Sequence, residues 1–98
     1  MKRGPNRHRA KFLRLRRHLD ICNHPGKPRR IRTRSARYAA ALAEQLGLIC
    51  RPKVCTWCHR RQRLQRHHWS YDEPLNVTYL CIDCHEIADQ MVWNTAIA

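Results

Sequence analysis

Cys55-Thr56-Trp57-Cys58 and Cys81-Ile82-Asp83-Cys84 are two C-x2-C pairs separated by 22 residues. Two thiolates spaced this way reach one ion from a tight backbone knuckle, and a second pair completes a tetrahedron with no open position. The four cysteines therefore read as a closed structural zinc site, whose binding energy is also folding energy. A redox dithiol or a disulfide pair competes for the same spacing. Cys22 and Cys50 belong to no such pair and read as free thiols.

The residues between the pairs set the rest of the fold. Leu64-Gln65-Arg66-His67-His68-Trp69 reads as a strand, Ser70 to Pro74 as a turn, and Val77 to Leu80 as a second strand rich in β formers. Cys81 to Trp93 reads as a helix with Cys84, Ile87, Ala88 and Met91 on one face. His85 and Asp89 stand at i and i+4 on an adjacent face. A knuckle, a hairpin and a helix tied together by zinc make a treble clef. The expected fold class is a small α+β zinc-bound treble clef (ββα) preceded by a basic helical arm.

Upstream, Asn6 to about Cys22 reads as a basic amphipathic helix. Phe12, Leu15, Leu19 and Cys22 recur at helical spacing, with Arg9, Arg14, Arg16 and Arg17 around the other faces. That stripe either packs on the domain or accompanies a helix that touches nucleic acid. Asn23-His24-Pro25-Gly26 with Pro28 ends the helix. Lys27, Arg29, Arg30, Arg32 and Arg34 form a charge run expected to be extended and phosphate-seeking. Thr33 or Ser35 then caps a second helix running to Leu46, with Gly47 as its stop. The expected divisions are a basic arm over 1–34, a helix leading into the zinc module over 35–50, and the zinc domain over 51–98.

Charge separates the two halves. The chain of 98 residues carries 20 Lys+Arg against 7 Asp+Glu, a net of +13. Residues 1–50 hold 14 basic and 2 acidic side chains, whereas residues 51–98 hold 6 and 5. A polyanion is the natural partner of such an arm, because each phosphate neutralised releases counterions. An acidic protein surface is the plainer alternative. No apolar stretch is long enough for a membrane span, and Met1-Lys2-Arg3 leads into no signal-peptide core. The expected setting is intracellular and reducing (cytoplasmic, nucleoid-associated or within a virion), where cysteines favour metal over disulfides. Trp57, Trp69, Tyr71, Tyr79 and Trp93 read mainly as core, with base stacking as the alternative.

His67-His68, followed by Asn76-Val-Thr-Tyr-Leu-Cys81-Ile-Asp-Cys84-His85, resembles the HNH endonuclease motif in its zinc-stabilised form. The likeness covers residues 55–93. A weaker one, from Ala36-Arg37-Tyr38 through Cys55, is to small HNH-like proteins of phages and prophages. The resemblance implies a metal-dependent DNA endonuclease. In it, His68 is the general base for water attacking a phosphodiester, and Asn76 orients His68. His85, Asp89 and His67 bind a catalytic divalent ion such as Mg2+ or Mn2+, and His68, Asn76 and His85 are the catalytic set. Nucleic-acid contacts are expected from Arg29, Arg30, Arg32, Arg34, Arg63 and Arg66, with double-stranded DNA as partner. The rival expectation is a non-catalytic zinc finger that binds DNA, or a structural component that acts with protein partners in a nucleoprotein or virion assembly.

Overall fold

The computed structural model describes the backbone of residues 4–97 and the side chains of residues 8–91. Among the described residues there are three helices and one two-stranded antiparallel sheet: α1 (Gly4–Cys22), α2 (Arg29–Gln45), β1 (Leu64–His68), β2 (Val77–Cys81) and α3 (Ile82–Ile97). The chain divides into two compact units. One comprises Met1–Cys50 with Ser70–Leu75, the other Arg51–Trp69 with Asn76–Ala98. Among the described residues no helix is long and apolar enough to cross a membrane.

The first unit is a helical hairpin. Its turn is closed by the Asn23 amide donating to Leu19 O and the Lys27 amide donating to His24 O. Ala36, Ala39, Ala40 and Ala43 are fully buried and recur at i, i+3, i+4 and i+7 along α2. Their small side chains make one continuous face where another helix can approach closely. Leu15 of α1 packs against Ala39 and Leu42, with Leu19, Leu46 and Leu75 around them. The end of α2 is closed by the Leu48 amide donating to Ala43 O and the Gly47 amide donating to Glu44 O. Gly47 has φ +79, the left-handed conformation this Schellman closure requires.

The charge run departs from its expected extended form. Residues 29–34 are already helical. Pro28 presets the backbone just before the helix, and arginine is a good helix former. Ser35, expected as a possible cap, is instead buried, with its Oγ 3.3 Å from His18 Nδ1. The hydroxyl joins two helices and does not start one.

In the second unit, β1 pairs with β2 in the register Leu64↔Cys81, Arg66↔Tyr79 and His68↔Val77. The core consists of Cys55, Leu64, Tyr79, Leu80, Cys81 and Ala88, with Cys58, Trp69, Val77 and Cys84 packed against it. The Arg51 guanidinium donates to Leu64 O at 2.8 Å and lies 4.9 Å from the Tyr79 ring centroid. The apolar stripe read on α3 is narrower than expected. Ala88 is buried, but Ile87 and Met91 are about half exposed. A two-stranded sheet is too narrow to cover more than one row of a helix. Of the aromatics, Tyr79 is core, Trp69 packs on it, and Trp57 is partly exposed; the side chain of Trp93 lies outside the described residues.

Candidate metal centres

The first centre is built from a knuckle and the junction of β2 with α3. Within the knuckle, the Cys58 amide points to Cys55 Sγ at 3.5 Å, and the His59 amide donates to Cys55 O at 2.9 Å. The chain reverses because His59 adopts φ +60, a left-handed conformation that histidine enters more readily than most side chains. The Thr56 amide donates to Tyr79 O, which ties the knuckle to β2 two residues before Cys81. Cys84 is the third residue of α3.

All four Sγ atoms lie within 4.8 Å of one another. Cys58 Sγ and Cys81 Sγ are 3.8 Å apart. A tetrahedron of Zn–S bonds of about 2.3 Å has an edge of about 3.8 Å. A disulfide needs about 2.05 Å. All four cysteines are free thiols. The donor set therefore fits a structural metal ion such as zinc.

The thiols differ in acidity. Burial pushes Cys55 up, but hydrogen bonds from the backbone at Cys58, Cys81 and Trp57 outweigh it and bring the thiol down to about 6. Cys84 is pushed up to about 12, first by burial, then by its bonds to the neighbouring thiols and the charge on Cys55. One thiolate is thus ready to receive a cation, and a second ligand must surrender a proton.

The second centre lies between β1 and α3. Alternation along a strand sends Gln65 and His67 to one face and Arg66 and His68 to the other. His67 Nδ1 lies 3.2 Å from Asp89 Oδ1, and His85 Nε2 lies 3.6 Å from the same oxygen. These ligand atoms all fall within 4.8 Å. Metal–ligand bonds of about 2.1 Å place neighbouring ligand atoms about 3.0 Å apart in an octahedron and about 3.4 Å apart in a tetrahedron, and the two separations lie close to that range. His67 is buried, while the Asp89 side chain is 63% exposed. The ligand set opens to solvent on the Asp89 side. Burial holds the His67 imidazole below its ordinary pKa; the Asp89 carboxylate opposes this and the neighbouring His85 adds to it. A neutral imidazole keeps the lone pair that a metal needs.

The residues expected to act together are thus partly separated. His67, His85 and Asp89 converge, whereas His68 is buried at the end of β1 and is not one of the three. His67 and His85 are neighbours, with ring centroids 5.1 Å apart. Asn76 is exposed, one residue before the Val77 that pairs with His68. Arg63 is exposed and Arg66 half-buried. Arg29, Arg30 and Arg34 are exposed, but Arg32 is half-buried with its Nε shielded.

Gln65 was not singled out by sequence, yet its Oε1 contacts His85 Nδ1. Its signal was available: it stands two positions before His67, on the same strand face. Trp69 continues that face, makes an edge-to-face contact with His67 at 4.4 Å between centroids and donates its Nε1–H to Thr78 Oγ1 at 2.9 Å. Compared with known proteins, the chain matches no family model, no curated protein and no solved structure.

Proposed function

We propose that this chain is a zinc-stabilised treble-clef protein of the HNH type that binds double-stranded DNA and hydrolyses its phosphodiester bonds. The observation that carries the reading is the convergence of His67, His85 and Asp89, open to solvent, beside a closed set of four cysteines. A closed thiolate set is structural, whereas three protein ligands with free positions are the mark of a catalytic metal. The arm, with 14 basic side chains in residues 1–50, supports a polyanionic substrate.

In this reading His67, His85 and Asp89 hold a divalent ion such as Mg2+ or Mn2+. When bound, the ion supplies Lewis-acid stabilisation of charge on the phosphate. Gln65 fixes the orientation of His85, and Trp69 packs the edge of His67 in place. The resemblance gives His68 the proton of the attacking water and Asn76 its orientation, although the ligand set lies on the opposite strand face; Arg63, exposed, clamps the phosphate.

A second reading has its own observation. His68 is buried on the strand face opposite His67, where strand alternation turns it away from the ligand set. A non-catalytic DNA-binding finger needs nothing from His68 beyond packing.

Plasmid nicking by the zinc-loaded chain, with and without added Mg2+ or Mn2+, separates the two. The enzyme predicts ion-dependent nicking that His85→Ala abolishes and that His68→Ala lowers by about 10²–10⁴. No nicking under any divalent ion, with DNA binding intact, leaves the finger.

A further inference from the structure

Helix α2 carries its charge along one side. At about 100° per residue, Arg29, Arg30, Thr33, Arg34 and Arg37 fall within an arc of about 140°. The same five residues line one shallow groove of ≈ 460 Å3. Of the buried residues, Ser35, Ala36, Ala39, Leu42 and Ala43 occupy the other side of the helix, and Ala40 falls in phase with the arc but three residues beyond Arg37. Arg32 falls on that other side by the same count. Its Nε is shielded from solvent, and its carbonyl receives the Cys22 thiol at 3.5 Å. The arginine run is therefore two populations, an outer four and an inner one.

The outer four are not neutralised by their own segment. No Asp or Glu occurs from residue 21 to residue 43. Glu44, the first to follow, lies about 10 Å along the helix axis from Arg37. Arg37 is also held: its guanidinium donates to the Tyr71 hydroxyl at 3.5 Å and lies 5.9 Å from that ring centroid.

From this distribution we infer that the Arg29, Arg30, Arg34 and Arg37 face of α2 is where the sugar-phosphate backbone of duplex DNA docks, with Thr33 among them and Arg32 excluded. The inference rests on the nucleic-acid reading above and adds the surface that performs it. Guanidinium forks match phosphate oxygens in pairs of hydrogen bonds. The face from Arg29 to Arg37 is about 12 Å long at 1.5 Å per residue, close to the ~12 Å width of a B-DNA major groove, which admits a helix. A membrane surface would require an apolar face alongside the charges, and within the arc Thr33 is the only uncharged member of the groove. An acidic protein partner would require an apolar or aromatic anchor at the centre of the contact; the five lining residues include none, and the Tyr71 ring lies beside Arg37 at the end of the face.

The test uses the full zinc-loaded chain, a short DNA duplex and fluorescence anisotropy over a salt series, with no divalent ion added. Replacing all four residues (R29Q/R30Q/R34Q/R37Q) should make the slope of log affinity against log salt shallower by about 3.6, at about 0.9 per phosphate lost. R32Q should leave that slope unchanged. Helicity by circular dichroism checks the fold. If the fourfold variant loses helicity, the four single variants replace it, each expected to shift the slope by about 0.9. An unchanged slope in a folded variant, or an equal change from R32Q, overturns the inference while the nucleic-acid reading stands. Failure of the wild-type chain to bind duplex removes that reading itself, and the inference with it. Binding of polyglutamate as tight as that of duplex assigns the face to an acidic protein and overturns the proposal.

Discussion

Gln65 Oε1 lies 2.5 Å from Nδ1 of His85, so a strand amide meets a helix imidazole across 20 residues of sequence. With the amide oxygen accepting, the Nδ1–H donates and the Nε2 lone pair is left facing Asp89, 3.6 Å away. Groups that hold a ligating histidine in this way commonly contribute 10–100-fold in metal affinity.

Gln65→Leu should therefore weaken Mn2+ binding at the His67, His85 and Asp89 centre by about 10–100-fold. Isothermal titration of the zinc-loaded protein measures it. The thermal midpoint should barely move, because Gln65 is exposed and contributes little to the core. Equal Mn2+ affinity in the variant and the wild type would show that the amide does not set the tautomer.

The cysteine centre gives a pH prediction with a definite sign. Cys55 sits at about 6 and is a thiolate at pH 7, while Cys84, at about 12, holds its proton. Loading zinc at pH 7 must displace the Cys84 proton but little from Cys55. Below about pH 6 Cys55 is protonated as well, so each zinc displaces one proton more. The depressed Cys55 pKa also stabilises the metal-free fold above the ordinary thiol range, a contribution lost as pH falls through 6. Chelator competition from pH 5 to pH 8 should thus show apparent zinc affinity falling more steeply below pH 6. A constant slope through pH 6 contradicts the assignment. Metal analysis should also find one zinc per chain, and Cys81→Ser should melt β1, β2 and the start of α3.

Ala39 is fully buried in contact with Leu15 and Leu42. Enlarging it forces side chains off their rotamers or the helices apart, at about 1–3 kcal/mol. Ala39→Leu should lower the stability of the helical hairpin by that amount in urea denaturation. An unchanged midpoint would mean that α1 and α2 are not held together by this close-packed face.

Gly47 separates conformation from packing. A Cβ there meets nothing within 4 Å, but φ is +79. Gly47→Ala should cost about 1–2 kcal/mol from the left-handed backbone alone. Gly47→Asn should cost less, since asparagine tolerates that region. Denaturation midpoints of the two variants give the ordering.

The parts of this protein legible in its sequence are those governed by local chemistry. Cys55, Cys58, Cys81 and Cys84 could be grouped because ligand spacing belongs to the knuckle itself. Gly47 marked the end of α2 because only a few residues adopt its backbone angle without strain. The strands around His67 and Val77 followed from β-forming side chains between turn residues, and both begin where the composition placed them. The split of charge between the halves is arithmetic.

Tertiary structure decided what local chemistry leaves open. Residues 29–34 carry a charge run that could be extended or helical, and the close-packed alanine face of α2 is continuous with a helix that starts at Arg29. Which arginine is inner depended on that helical phase, and Arg32 went inward. His67 and His68 are adjacent and chemically identical. Only the pairing of β1 with β2 and the position of α3 determine which imidazole meets His85 and Asp89. Strand alternation guarantees that one histidine faces the helix, but not which one, because that choice depends on register and on the face α3 covers.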